Sequence, residues 1–247
     1  MRLAFSSNPL SLKGDAGSRA PALPRISLLC LFASGCKERA GNAVKIVGIG
    51  LNKTGTSTLG AAGAAMGLSC KTWDPTLFQE TIVEGKRDAL WATINAFDLF
   101  NDFPYPLLYR EIDARYPGAK FVLTRRASPE AWLSSLKAHA MRGAITTRTH
   151  KIVYGWQYPH GRESAFLDYY ERHNEEARRY FADRPADFLE ICWEEEKDWT
   201  RFASFLGKPA PTAPLPRANA RAAKKINPMR YAWNIGGRFL QNLPPKA

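Results

Sequence analysis

The sequence predicts an α/β fold, a parallel β-sheet flanked by helices on both faces. Three observations lead there. Short β-rich runs alternate with stretches of helical periodicity between residues 45 and 193, the pattern of a parallel sheet covered on both sides. The first run, Lys45-Ile46-Val47-Gly48-Ile49-Gly50, ends in glycines, as a buried parallel strand does where its backbone must turn. The chain of 247 residues is 45% hydrophobic and 12% aromatic, enough for one substantial core and too apolar for wholesale disorder.

The elements follow in order. After the strand at 45–50, residues 56–68 form a helix rich in Ala, Gly and Met, whose small side chains let it pack closely on a sheet. Further strands are expected at 68–72, 97–102, 120–124 and 188–193. Helices are expected at 76–84, 87–96, 107–116, 129–140 and 164–181. No internal repeat has a fixed period. From Pro209 the chain is rich in Pro, Ala and basic residues and is expected to wrap the body or stay mobile.

Net charge is +12, but its distribution matters more than its size. Residues 1–45 carry +5, residues 199–247 carry +9 without one acidic residue, and residues 46–198 carry −2. A globular nucleic-acid binder places its basic face on the folded body, so no specific nucleic-acid partner is expected. The four cysteines, Cys30, Cys36, Cys70 and Cys192, have no C-x-x-C pairing, which excludes a disulfide-stapled module and a zinc ribbon. No apolar run approaches the roughly 20 residues of a bilayer span. Residues 1–43 read as a disordered leader, 44–219 as the α/β domain and 220–247 as a basic tail. Small residues before Cys36 look like a lipid-attachment site, but Pro21 and Pro24 and the length of the segment weigh against a signal. The expected compartment is the cytoplasm, with export or anchoring through the leader as the alternative.

Between the first strand and helix lies Gly50-Leu51-Asn52-Lys53-Thr54-Gly55-Thr56-Ser57-Thr58. Glycines let successive N–H groups surround an anion, the helix N-terminus adds its dipole, and Thr54, Thr56, Ser57 and Thr58 add hydroxyl donors. The chemistry is that of a phosphate cradle. Gly50 and Gly55 keep a G-x-x-x-x-G spacing, yet Thr56 stands where a nucleoside-triphosphate loop needs Lys, and Lys53 takes the third glycine position of a dinucleotide fingerprint.

The segment Lys53-Thr54-Gly55-Thr56-Ser57-Thr58-Leu59 resembles the 5′-phosphosulfate loop of sulfotransferases that use 3′-phosphoadenosine-5′-phosphosulfate (PAPS). A second match is Phe121-Val122-Leu123-Thr124-Arg125-Arg126, followed eight residues later by Ser134. In that family an Arg at this strand end and a Ser on the next helix contact the 3′-phosphate. The resemblance runs over roughly 45–219 and includes Asn101-Asp102-Phe103-Pro104, Tyr116-Pro117-Gly118-Ala119-Lys120 and Arg172-His173-Asn174-Glu175-Glu176. It implies a P-loop-like sheet, PAPS as co-substrate, no metal, and a small-molecule or glycan acceptor. It further implies that residues Thr54, Gly55, Thr56, Ser57 and Thr58 hold the 5′-phosphate, that Lys53 reaches the sulfuryl oxygens, and that Arg126 and Ser134 bind the 3′-phosphate.

Sulfuryl transfer, like phosphoryl transfer, draws its catalysis from positioning and charge stabilisation. Lys53 is the expected neutraliser of leaving-group charge. Asp102 stands where cytosolic sulfotransferases carry a catalytic His, and is the expected base if its site raises its pKa from about 3.9. His139, His150, His160 and His173 are the alternatives, and Asp98 is expected to be structural. Residues 142–162 form an acceptor wall or a packed connector, Trp193 packs on adenine or in the core, and the tail cations Arg217, Arg221, Lys224 and Lys225 fold over the 3′-phosphate or stay solvated. Two other functions remain compatible with the residues: a non-catalytic nucleotide- or polyanion-binding protein, and a P-loop kinase or NTPase.

Overall fold

A computed structural model describes residues 44–142, 146–216 and 227–243, all within the unit Asn42–Ala247. The expected leader and the tail cations Arg217, Arg221, Lys224 and Lys225 lie outside the described residues. Five strands, β1 (Ile46–Gly48), β2 (Cys70–Lys71), β3 (Leu99–Phe100), β4 (Lys120–Thr124) and β5 (Phe188–Ile191), form one sheet in the order β2-β3-β1-β4-β5. Every pairing is parallel, with Val47 opposite both Phe100 and Phe121. The α/β fold expected from the sequence is borne out.

Alternation along the strands builds two cores. Val47, Phe100, Phe121 and Leu123 face one side, under α3 (Asp88–Ala96), α4 (Tyr105–Arg115) and α7 (Glu163–Tyr180). Ile46, Leu99 and Val122 face the other, under α1 (Thr56–Ala65) and α8 (Thr200–Leu206). A third cluster decides where the site lies. Leu51 and Phe103, just beyond β1 and β3, pack with Trp132 of α5 (Pro129–Ala140), Tyr154 of α6 (Thr146–Tyr154), and Phe166 and Tyr170 of α7. The loop leaving β1 is therefore clamped on a hydrophobic floor.

Local chemistry sets the ends of the helices. Ser128 caps α5 by accepting from the Ala131 N–H at 3.1 Å, and Pro129 occupies the first turn, where its missing N–H costs nothing. The predicted 56–68 helix stops at Ala65. Gly67 adopts φ 76° and the Leu68 N–H turns back to the Gly63 carbonyl at 3.0 Å, a glycine-dependent stop. The predicted 76–84 helix is split into α2 (Pro75–Phe78) and a π-helical turn, Gln79–Val83. Helices α6, α8 and α9 (Pro228–Gln241) lie where no helix was expected.

Candidate active site

Four strand ends meet at the carboxyl edge of the sheet, the edge at which open parallel sheets hold their ligands. After β1 comes the loop 50–55; after β3 come Asn101 and Asp102; after β4, Arg125 and Arg126; after β5, Trp193 and Glu194. The loop lies flat on β4. A Cβ on Gly50 would stand 2.1 Å from Thr124 Oγ1 and 2.3 Å from the Thr124 carbonyl oxygen, so only glycine fits. Gly55, at φ 102°, passes close to the indole of Trp193, where a Cβ would lie 2.5 Å from Cδ1.

Within the loop the residues divide their work. Thr54 is buried; its hydroxyl donates to the Leu51 carbonyl at 2.6 Å and lies 2.6 Å from Thr124 Oγ1. It locks the turn instead of offering a donor to a ligand. Gly55 precedes α1 with no side-chain cap, so the first-turn N–H groups of Thr56 and Ser57 open toward the loop with the positive end of the helix dipole. The Thr58 N–H turns inward to the Gly55 carbonyl at 2.9 Å. Ser57 is exposed, whereas Thr56 is buried and donates from Oγ1 to Asp102 Oδ2 at 3.2 Å.

Lys53 and Asp102 share a conformation. They are the two non-glycine residues with positive φ among the described residues, at 69° and 67°. Left-handed backbone is costly for a side-chain-bearing residue and persists only where its surroundings impose it. Asp102 is partly buried, and removal from water raises its pKa above the usual carboxylate value. Opposing that rise are the Phe103 N–H, which donates to Oδ1 at 2.9 Å, the Thr56 hydroxyl, and the positive charge of Lys53.

Arg126 is tied to the same loop, its Nη1 lying 3.5 Å from the Lys53 carbonyl oxygen. Its Nε and Nη2 both donate to Glu194 Oε1, at 2.9 and 2.5 Å, while Glu194 Oε2 accepts from the Ala127 N–H at 2.8 Å. The guanidinium holds the Glu194 carboxyl below its ordinary pKa. Arg125 is engaged elsewhere, with Glu190 and Glu195, each at 2.9 Å. Ser134 is exposed on the second turn of α5, and among the described residues no hydrogen bond ties it to Arg126 or the loop. Lys53, Thr56, Asp102 and Arg126 are thus drawn together.

A neighbour of Lys53 went unnoticed in the sequence. Asn52 is buried and held from three sides: Trp132 Nε1 donates to its carbonyl at 2.9 Å, Tyr154 Oη donates to Oδ1 at 2.7 Å, and Nδ2 lies 3.4 Å from His150 Nε2. Since His150 Nδ1 faces the Gln157 carbonyl oxygen at 3.2 Å, the proton of neutral His150 sits on Nδ1 and Nε2 accepts from Asn52. A protonated ring would set N–H against N–H. Burial lowers the His150 pKa to about 4. Another alternative base, His173, also supports the loop, donating from Nε2 to the Ile49 carbonyl at 2.7 Å. His160 lies at the C-terminal end of α9, where Asn242 Nδ2 donates to its carbonyl at 3.0 Å.

His150 makes loop anchoring acid-sensitive. Its folded pKa lies below its unfolded value of about 6.5, so the unfolded chain binds the proton more readily and stability falls as pH drops through that window. Relative to His150→Gln, the wild type is expected to lose about 3 kcal/mol between pH 7 and below pH 4. Urea denaturation of both proteins across that range measures it; parallel pH profiles would refute the role.

Among the described residues, no group of three or more His, Cys, Asp and Glu is placed to hold a metal ion. The architecture is that of a parallel α/β protein with a cationic, hydroxyl-lined loop at the carboxyl edge of its sheet. The chain belongs to the sulfotransferase domain family, whose model matches residues 45–224. It is also similar to the Ava biosynthesis cluster protein M of Aspergillus versicolor, at 24% identity over 223 residues covering 70% of this chain and 80% of that protein. Membership in this family makes the chain a transferase by class.

Proposed function

We propose that the protein moves a sulfuryl group from PAPS to a hydroxyl or amine acceptor, with Lys53 and Asp102 as the catalytic pair. The observation that carries this reading is their placement on either side of the uncapped start of α1, Lys53 in the loop before it and Asp102 after β3 accepting from Thr56 in its first turn, both in left-handed backbone and close enough for the charge of one to act on the other. PAPS supplies an activated sulfuryl group. In the transfer, the acceptor oxygen or nitrogen forms the new bond to sulfur, the bond from sulfur to the 5′-phosphate oxygen breaks, and the acceptor proton passes to Asp102. Lys53 and the first-turn N–H groups of α1 oppose the charge left on the phosphate. Desolvation raises the Asp102 pKa above the ordinary carboxylate value, which makes its carboxylate a better proton acceptor than a solvated one.

The remaining residues fit a nucleotide carrying a second phosphate. Trp193 Nε1, beside Gly55, is a buried donor without a partner among the described residues, and both polar atoms of the Asn101 amide are in the same state. Such groups call for an explanation, and a polar ligand at the strand ends supplies one. Arg126 is the group for the 3′-phosphate. Glu194 neutralises it and competes with that phosphate, so Glu194→Gln is expected to tighten binding of 3′-phosphoadenosine-5′-phosphate severalfold, roughly the worth of one half-exposed ion pair. Weaker binding in calorimetry would mean that Glu194 orients Arg126 instead.

Radiolabelled PAPS, offered with a panel of phenols, aliphatic alcohols and amines, tests the activity. Transfer to any of them establishes it. Protein that binds the nucleotide but transfers to none, even at high enzyme concentration, would support a binding protein on this fold. Magnesium-dependent ATP hydrolysis would favour the NTPase reading.

A further inference from the structure

Helix α9 is docked the wrong way round for a soluble protein. A surface helix ordinarily turns its apolar stripe to the body and its polar stripe to water. Here the polar stripe makes the contacts. Asn234, 1% exposed, donates from Nδ2 to the Met141 carbonyl at 2.9 Å and accepts at Oδ1 from Tyr158 Oη at 3.0 Å. Gln241 brackets the Tyr158 backbone, accepting from its N–H at 3.0 Å and donating to its carbonyl at 2.9 Å. One residue past the helix, Asn242 donates to the His160 carbonyl at 3.0 Å. Gly237 lies on the same face, where a Cβ would come within 2.7 Å of Tyr158 Oη.

At about 100° per residue, Met229, Trp233 and Leu240 fall within about 40° of one another on the flank of that stripe, and Phe239 stands about 80–120° further round, on the side opposite the stripe. They are 82%, 79%, 66% and 67% exposed. Asn227 caps the helix through the Arg230 N–H at 3.1 Å and Pro228 occupies its first turn, so α9 has its own start signal. The helix is fixed to the body and its apolar face is directed outward.

Charge indicates what covers that face. From residue 199 to the end the sequence has nine Lys and Arg and no Asp or Glu, against a net −2 for residues 46–198. On α9 itself Arg230 and Arg238 are exposed and no acidic residue is present. A second copy of the chain would bring the same cations against these, since a two-fold interface pairs a surface with itself. An anionic lipid surface complements both the charge and the Trp, Phe and Leu side chains. With 14 residues the helix is too short to cross a bilayer, and no described helix is long and apolar enough to do so.

We propose that α9 binds in the plane of an anionic membrane surface, with Met229, Trp233, Phe239 and Leu240 among the acyl chains and Arg230 and Arg238 at headgroup level. The inference does not depend on the donor or the acceptor of the transfer reaction.

Co-sedimentation of the full chain with vesicles tests it. Vesicles of phosphatidylcholine mixed with phosphatidylserine are expected to carry the protein down, and vesicles of phosphatidylcholine alone to bind it at least tenfold more weakly, with the difference shrinking as salt rises. The double variant Trp233→Ser/Leu240→Ser is expected to lose at least tenfold in binding to the mixed vesicles while unfolding at the wild-type temperature, because both side chains are exposed. Three results would overturn the proposal. The wild type could remain in the supernatant with mixed vesicles. The double variant could bind as wild type does, assigning attraction to the basic segment alone. Or the wild type could be a dimer that the double variant dissociates, with no vesicle binding, which would give the face to a second copy.

Discussion

Asp102→Asn is expected to lose two to four orders of magnitude in sulfate transfer, the range for removing a positioned general base, while folding at least as stably as the wild type at neutral pH. The two effects have one source. Desolvation raises the Asp102 pKa, so the folded protein holds this proton at a pH where the unfolded chain has released it. The contribution of Asp102 to stability is thus present at low pH and is lost as pH rises through the raised value. A neutral amide does not titrate and escapes that loss. Asn is, after glycine, the residue most at ease at φ 67° and keeps the side-chain shape of Asp, so a lost rate reports chemistry instead of a disturbed turn. Transfer rates and urea denaturation of both proteins at several pH values check the pair of effects. Full activity in Asp102→Asn would remove Asp102 from the reaction.

Lys53→Ala is expected to reduce single-turnover transfer by about a hundredfold to a thousandfold, the scale for deleting one donor to developing negative charge. It should also leave a signature on the pH profile. Wild-type activity should rise along an acidic limb as Asp102 ionises. The positive charge of Lys53 is one influence holding that pKa down, so its removal should move the limb to higher pH. A purely structural lysine would lower activity without moving the limb. Lys53→Gly relaxes the strain at φ 69° and is expected to be the more stable variant, equally inactive. If either variant transferred sulfate at the wild-type rate, the assigned role of Lys53 would fall.

What the sequence disclosed and what it hid follow from chain separation. The parallel sheet was legible because each strand is a local run bounded by glycine or charge, and α5 was legible residue for residue because Ser128 and Pro129 announce its start. The loop was legible because its chemistry is contiguous. Its supports were not: Asn52 meets His150 and Tyr154 across 98 and 102 residues, and nothing local in either segment declares the partnership. Thr54 illustrates the opposite error. Its hydroxyl looks like a ligand donor in sequence, but burial against Thr124 spends it within the protein. The pairing of Glu194 with Arg126 spans 68 residues, and nothing local in either segment declares it. Helix α9 was hidden by the proline- and basic-rich composition around it, although Met229, Trp233 and Leu240 already carried the periodicity.

The central claim is that this edge of the sheet binds a nucleotide by its 3′-phosphate and its 5′-phosphate together. Calorimetric titration of the full chain with 3′-phosphoadenosine-5′-phosphate, beside AMP and ATP, tests it most directly. Saturable binding of the 3′-phosphorylated nucleotide, much weaker binding of AMP and ATP, and loss of that preference in Arg126→Ala are the expected results. Equal affinity for AMP, or no binding by folded protein, would contradict the claim.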